Sequence, residues 1–302
     1  AVRENLGASE VASFANHKFT GSGARAFLDR ILAGHMPERG RVNLSPMLLE
    51  SGKLNGDLTV ACIDDETYYL FGSSVAQNMH LRWFEKHLEG VDDVIYKNMT
   101  DDFHGIAISG PNSRELLSRL TREDVSSDAF KFRDIRDTFI GGVPALCVRL
   151  SFTGELGYEI YVAPQYQLKL FEEIEEVGKD LDVKWFGGRA LMSMRLEKSW
   201  GAWTLDFRPD FTLMESGLDF FVNWNKDFIG KDAALEEQKN GPSKHLSVIE
   251  IETETDVSGD EAVMHNGKCI SYITSGGYGH SVEKSLAMTY LPVELIDEDT
   301  EL

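Results

Sequence analysis

Cysteine is scarce. The 302 residues hold three, Cys62, Cys147 and Cys269, far apart and with no CxxC pair. That excludes a disulfide framework and a thiolate metal site, and it fits a reducing compartment. Long apolar runs are lacking too. Residues 139–148 are among the longest uncharged stretches, and Gly141, Gly142 and Pro144 interrupt them. A bilayer span needs about 18–20 apolar residues, so no membrane segment is expected. Positive charge is short: 30 Lys and Arg face 50 Asp and Glu, a formal net charge of −20. Such an excess repels phosphate backbones and anionic lipid, so neither nucleic acid nor membrane is an expected partner.

Several catalytic signatures are also missing. There is no GxxxxGK[ST] phosphate loop and no GxSxG nucleophile elbow. Gly21-x-Gly23-x-x-Ala26 comes near a dinucleotide fingerprint. No second parallel βαβ unit follows it, and the acid needed about 20 residues on is lacking. Flavin, nicotinamide and ATP sites are therefore not expected within this chain. The eight histidines are scattered; His80 and His87 lie seven apart with no ligand three or four residues away. No metal is expected. No secretory leader is read, and Asn98-Met99-Thr100 is taken as a chance glycosylation match. A chain opening on Ala1 is expected to be processed or to belong to a longer polypeptide.

What is present is ordinary globular material, 42% hydrophobic and 26% charged, long enough for about two domains. One internal repeat organises it. Gly21, Arg25, Leu28 and Arg30 recur as Gly110, Arg114, Leu117 and Arg119, 89 residues on. Each copy reads as a strand end, a glycine turn and an amphipathic helix. Further along, Gly56-Asp57-Leu58 is echoed by Gly154-Glu155-Leu156. Two related α+β modules would place these acids at related points, with a cleft between the halves as the expected site.

The pattern predicts hairpins over 57–63 with 67–72 and over 138–140 with 145–150. It predicts helices over 78–88, 165–181 and 188–200. A boundary falls in Lys239-Asn-Gly-Pro-Ser243, and only short strands follow: 246–251, a hairpin through Asn266-Gly267, and 286–291. The 188–200 helix is apolar almost all round, so deep packing is expected. Yet it carries Arg189, Arg195, Glu197 and Lys198. Buried charges need partners. Either an internal ion pair satisfies them, or Glu197 grips a polar ligand. A carboxylate taking two parallel N–H bonds selects a flat amidine-like edge, such as that of a pterin. Asp57, at the mouth of a strand, is either a turn residue or a carboxylate poised to take a proton or steady a cation.

Five stretches are recognisable together: GDLTV (56–60), SFTGELGYEIY (151–161), MRLEKSWGAW (194–203), DFIGKDAAL (227–235) and TSGGYGHSVEKSLAMTYLP (274–292). In these the chain resembles the folate-binding, T-protein-like C-terminal half of dimethylglycine and sarcosine dehydrogenases. It is more distantly similar to the glycine-cleavage aminomethyltransferase. The resemblance implies an α+β cloverleaf of two related α+β subdomains plus a C-terminal antiparallel β-barrel. It assigns 1–240 to the folate-binding part and 241–302 to a barrel expected to be truncated. Tetrahydrofolate is the implied cofactor, and a small methylated amine of the dimethylglycine or sarcosine type the implied substrate. Its methyl-derived carbon would leave as 5,10-methylenetetrahydrofolate. FAD would sit only on an N-terminal domain or partner subunit outside this chain.

Residue by residue, the resemblance makes Asp57 the catalytic acid of the [DE]-L-T segment, with Leu58 and Thr59 beside the folate. Glu197, the acid of R-L-E, becomes the pterin anchor, flanked by Leu196 and Lys198. Where close relatives place a Tyr eight positions earlier, this chain has Arg189, whose guanidinium can stack or bind a carboxylate. Lys226 and Lys231 are further candidates for the glutamate tail. Gly56 stands where the aminomethyltransferase has a second Asp, which favours the dehydrogenase-type relatives. The alternatives are an O- or S-demethylase giving 5-methyltetrahydrofolate, or a non-catalytic folate-binding module. Relatives of the latter kind carry Lys-Gly-Cys-Tyr where this chain reads Lys226-Asp-Phe-Ile-Gly230. Bacterial cytoplasm is the expected compartment, with the mitochondrial matrix as the alternative.

Overall fold

The computed structural model describes residues 1–11, 14–297 and 300–302, and they form an α+β fold. Contacts divide the chain into two compact units. The first comprises Ala1–Phe27, Met36–Asn43 and Thr59–Leu191; the second comprises Leu28–His35, Leu44–Leu58 and Met192–Leu302.

The first unit is built on a six-stranded sheet. Its order is Lys184–Trp185, Gly7–Glu10, His104–Ser109, Gly157–Val162, Val143–Val148 and Ile135–Ile140. Gly157–Val162 is central and buried at every position. A strand covered on both faces favours apolar residues on both, so GYEIYV, Glu159 apart, does not alternate. One core layer joins Ile106, Ile108, Tyr158 and Ile160 to Leu117, Leu170 and Ile174 of the helices Ser113–Leu120 and Gln167–Val177. A second layer joins Ala107, Leu146 and Tyr161 to Val42, Ala61 and Phe71. Phe71 stacks on Tyr161 with ring centroids 4.8 Å apart. Val42, Ala61 and Phe71 come from a five-stranded sheet ordered Arg41–Leu48, Leu54–Asp64, Thr67–Gly72, Ala15–Thr20, Ile95–Asn98.

The repeat is visible in the backbone. Gly21 and Gly110 have φ of +117° and +120°, and the helices Ala24–Ile31 and Ser113–Leu120 follow them. A Cβ at either position would meet a carbonyl oxygen, Asp93 O at 2.2 Å or Asn5 O at 2.5 Å. Both conformation and space therefore demand glycine. The predicted hairpins form with the expected turns: Leu54–Asp64 pairs with Thr67–Gly72, and Ile135–Ile140 with Val143–Val148.

In the second unit, Lys244–Ile251, Lys284–Pro292, Lys268–Gly279 and Ala262–His265 form an antiparallel sheet in that order. Asn266 and Gly267, at φ +48° and +75°, make the tight turn predicted for them. The same unit is pinned by Lys226. Its Nζ pairs with Asp29 at 3.0 Å and donates to the carbonyl oxygens of Asp29 and Leu32.

One element departs from expectation. The helix predicted over 188–200 is Gly188–Leu196, and it is not deeply packed: Arg189 and Ala190 are exposed, and Leu191, Met192 and Met194 are only half-buried. It stops because Ser199 adopts φ +55° and Trp200 N–H bonds back to the Arg195 carbonyl. This is a left-handed helix ending made without the usual glycine.

Candidate active site

Asp57 lies on the Leu54–Asp64 strand, whose side chains alternate across the sheet. Leu58 and Val60 are fully buried on one face, while Asp57 and Thr59 on the other are half-buried. A turn through Gly52 at φ +79° feeds the strand, and Leu54 N–H bonds to the Phe211 carbonyl. Asp57 has no cationic partner among the described residues. Desolvation by the surrounding protein lifts its carboxyl from an ordinary 3.8 to about 7, opposed only by a hydrogen bond from its own N–H. The residue as a whole is half-buried, while its carboxyl group is surrounded by protein. A carboxyl balanced near neutrality, with no cation to neutralise it, can accept a proton at working pH. Glu155, its counterpart in the repeat, differs: Arg3 pairs with it at 2.9 Å.

Glu197 follows the last helical residue and is half-buried, not enclosed as the sequence pattern suggests. Ser281 N–H donates to its Oε1 at 2.7 Å, and one turn earlier Ser193 Oγ donates to the Tyr278 carbonyl at 2.6 Å. The approach is tightest at Gly279. A Cβ on Gly279 would lie 3.2 Å from Glu197 Cγ, and one on Gly277 would lie 3.4 Å from Leu196 Cδ1. The glycine-rich end of the Lys268–Gly279 strand thus lies against Leu196 and Glu197 and sets the carboxylate's position.

The buried charge of this segment is Arg195, and it takes the internal ion-pair reading. It pairs with Asp206 at 2.5 Å, and the two side chains are 1% and 0% exposed. The guanidinium also donates to the Trp200 carbonyl at 3.0 Å. Asp206 further accepts from Ala202 N–H and from the Thr274 and Ser275 hydroxyls. One carboxylate therefore joins the R-L-E segment, the loop after it and the glycine-bearing strand.

The remaining candidates are spread out. Leu58 is a core residue, Leu196 is buried, and Arg189 and Lys198 are exposed. Lys226 is committed to Asp29 and two carbonyls, and Lys231 lies 3.2 Å from Asp227. Two polar residues escaped the sequence reading. Asp206 sits in an irregular loop and carries no periodic signal. Glu159 is a buried acid in the middle of the apolar Gly157–Val162 strand, and that incongruity was its available signal. It accepts from Tyr161 OH at 2.7 Å, and burial lifts its carboxyl to about 7.

Residues 1–226 match the family model described as the GCVT N-terminal domain, and residues 244–302 match the glycine cleavage T-protein C-terminal barrel domain. The chain belongs to the glycine-cleavage T-protein family. It is 34% identical over 298 residues to the mitochondrial dimethylglycine dehydrogenase of Homo sapiens, which covers 97% of this chain and 34% of that protein. It is 31% identical to the aminomethyltransferase of Geobacillus sp. (strain WCH70), covering 100% of this chain and 83% of that one. The crystal structure of glycine cleavage system aminomethyltransferase T from Bartonella henselae superimposes with a TM-score of 0.89 at 24% identity, over 99% of this chain and 82% of that chain. The T-protein-like fold implied by the sequence motifs is therefore the fold of this chain. The chain spans about a third of the length of the dimethylglycine dehydrogenases it matches. The family is aminomethyltransferase-like, and no helix among the described residues is long and apolar enough to cross a membrane.

Proposed function

We propose that this chain captures the one-carbon unit of an N-methyl amine of the dimethylglycine or sarcosine type as 5,10-methylenetetrahydrofolate. The observation that carries the reading is Asp57, a carboxyl on a half-buried strand residue, lifted to about 7 with no cation among the described residues to hold it ionised. The donor set fits a reduced folate. Glu197 offers a carboxylate fixed by Ser281 N–H, the acceptor that an amidine edge requires. When bound, tetrahydrofolate supplies the two nitrogens that take up the carbon. Asp57 accepts the proton lost from nitrogen as the second bond closes, or steadies the cation beforehand. Glu197 orients the ring, with Leu196 and Lys198 flanking it and Leu58 and Thr59 beside Asp57. Exposed Arg189 is available to a carboxylate or a ring face. Holding two reactants together supplies much of the rate gain.

In this reading 1–240 forms the folate-binding part and 241–302 the barrel. The amine is oxidised on a flavin domain or partner subunit, in agreement with the longer chains of the dehydrogenase relatives. The proposed compartment is bacterial cytoplasm, or the mitochondrial matrix as the mammalian relatives' names suggest. Glu197→Gln tests the anchor. It keeps the shape and removes the charge, so tetrahydrofolate measured by calorimetry should bind about 10- to 100-fold more weakly. Equal affinity in the variant would remove Glu197 from the site.

A further inference from the structure

The second unit contains a cavity of about 180 Å³ that the folate reading does not use. Its walls include the rings of Phe211, Tyr272 and Tyr290, with Ile270 and Lys244 beside them. Phe211 and Tyr290 stack with centroids 3.5 Å apart, and the Tyr290 hydroxyl is engaged elsewhere: it meets Ser216 Oγ and donates to the Asp206 carbonyl. One face of each ring covers the other, and the wall that Phe211, Tyr272, Tyr290 and Ile270 give the cavity is largely apolar. An engineered apolar cavity of about 150 Å³ takes up benzene, so this volume holds one six-membered ring.

Two cations bracket the same rings. Lys244 Nζ lies 4.6 Å from the Phe211 centroid and 5.7 Å from that of Tyr290. The Arg208 guanidinium lies 5.4 Å from Phe211 and 5.4 Å from Tyr272, whose hydroxyl it also contacts. Arg208 has a loose acidic neighbour, Asp210 at 3.6 Å, which is well exposed. Lys244 has no acid partner among the described residues. Glu215 accepts from Thr212 N–H and Ser243 Oγ and makes no ion pair with Lys244, and Asp206 is taken by Arg195 and its neighbours. In a chain of net charge −20, an unneutralised lysine against an aromatic cavity is a local exception. Aromatic walls alone would favour an ammonium ligand. With two cations already over them, the next charge to enter must be negative.

We propose that this cavity is a second binding site, selective for a small carboxylate carried on a single flat ring, whose anion pairs with Lys244. The proposal does not rest on the folate reading, and none of its residues belongs to that site.

Benzoate is the probe and benzylamine its charge-reversed control, each titrated into the intact chain by calorimetry and by ligand-observed NMR. Benzoate should saturate with a Kd of about 1–10 mM, as suits a ligand of about nine non-hydrogen atoms. Benzylamine should not bind. Lys244→Met keeps the packing stem and should weaken benzoate about tenfold. Ile270→Trp fills the space and should abolish binding. Failure of benzoate to saturate, equal binding of benzylamine, or benzoate binding indifferent to Ile270→Trp would each overturn the proposal. Should Lys244→Met fold poorly, the benzoate–benzylamine contrast on the parent chain decides by itself.

Discussion

Asp57→Asn is expected to lower one-carbon capture about 10²- to 10⁴-fold, the range for loss of a positioned general base. Tetrahydrofolate affinity should stay within a few-fold of the parent, because Glu197 and the ring contacts remain. The parent's capture rate should rise with pH and level off above an apparent pKa near 7, since only ionised Asp57 accepts a proton. The variant's profile should be flat through that region. Stability should move the other way. The folded carboxyl holds its proton up to about 7, while the unfolded one releases it near 3.8. Between these values the native state binds more protons, so stability falls as pH rises through the window, and the full cost is present above it. Asparagine removes that cost. The variant should therefore be more stable than the parent at pH 8, by about 1–3 kcal/mol after allowance for partial exposure, and equal to it below the unfolded value. Glu159 shifts in the same direction, so both proteins keep some of the decline. A variant that retains full capture, or loses stability at pH 8, would show that Asp57 is a structural turn residue.

The second large effect concerns Asp206. Its replacement by Asn should destabilise the chain by about 3–5 kcal/mol in urea unfolding, because Arg195 would remain buried without a counter-charge. Arg195→Met should also be costly. The double variant should cost less than the sum of the two by about 2 kcal/mol or more, which is the signature of direct coupling. It should not regain parental stability, since Asn keeps only one of the two acceptor oxygens that Ala202 N–H, Thr274 and Ser275 use. Strict additivity would mean that the pair contributes little and that the hydroxyl contacts hold the segment. Tetrahydrofolate binding should fall alongside, because this network carries the chain on both sides of Leu196 and Glu197.

Local elements were legible because each residue votes for them. The hairpin pattern over 57–63 and 67–72 marked most of the Leu54–Asp64 strand, and Asn266-Gly267 announced its turn. The glycines of the repeat announced two helix starts, since no other residue tolerates that backbone against a carbonyl. The motifs identified the family, whose fold the structure shares. The end of the Gly188–Leu196 helix was not legible, because Ser199 rather than glycine takes the left-handed conformation.

What the sequence by itself determined was residue type and local geometry: which segments are strands or helices, where glycine is compulsory, and that acids outnumber bases. What only the tertiary structure decided was which charge is buried, and with whom. From sequence, Arg195 and Glu197 were equal claimants to the interior. Packing enclosed the arginine beside Asp206 and left the glutamate half-open under Ser281. The same holds for Asp57 and Glu155, matched in the repeat yet opposite in state, one without a cation and one paired with Arg3. Solvation and Coulomb energy depend on distances between residues remote in the chain, and those distances exist only after folding.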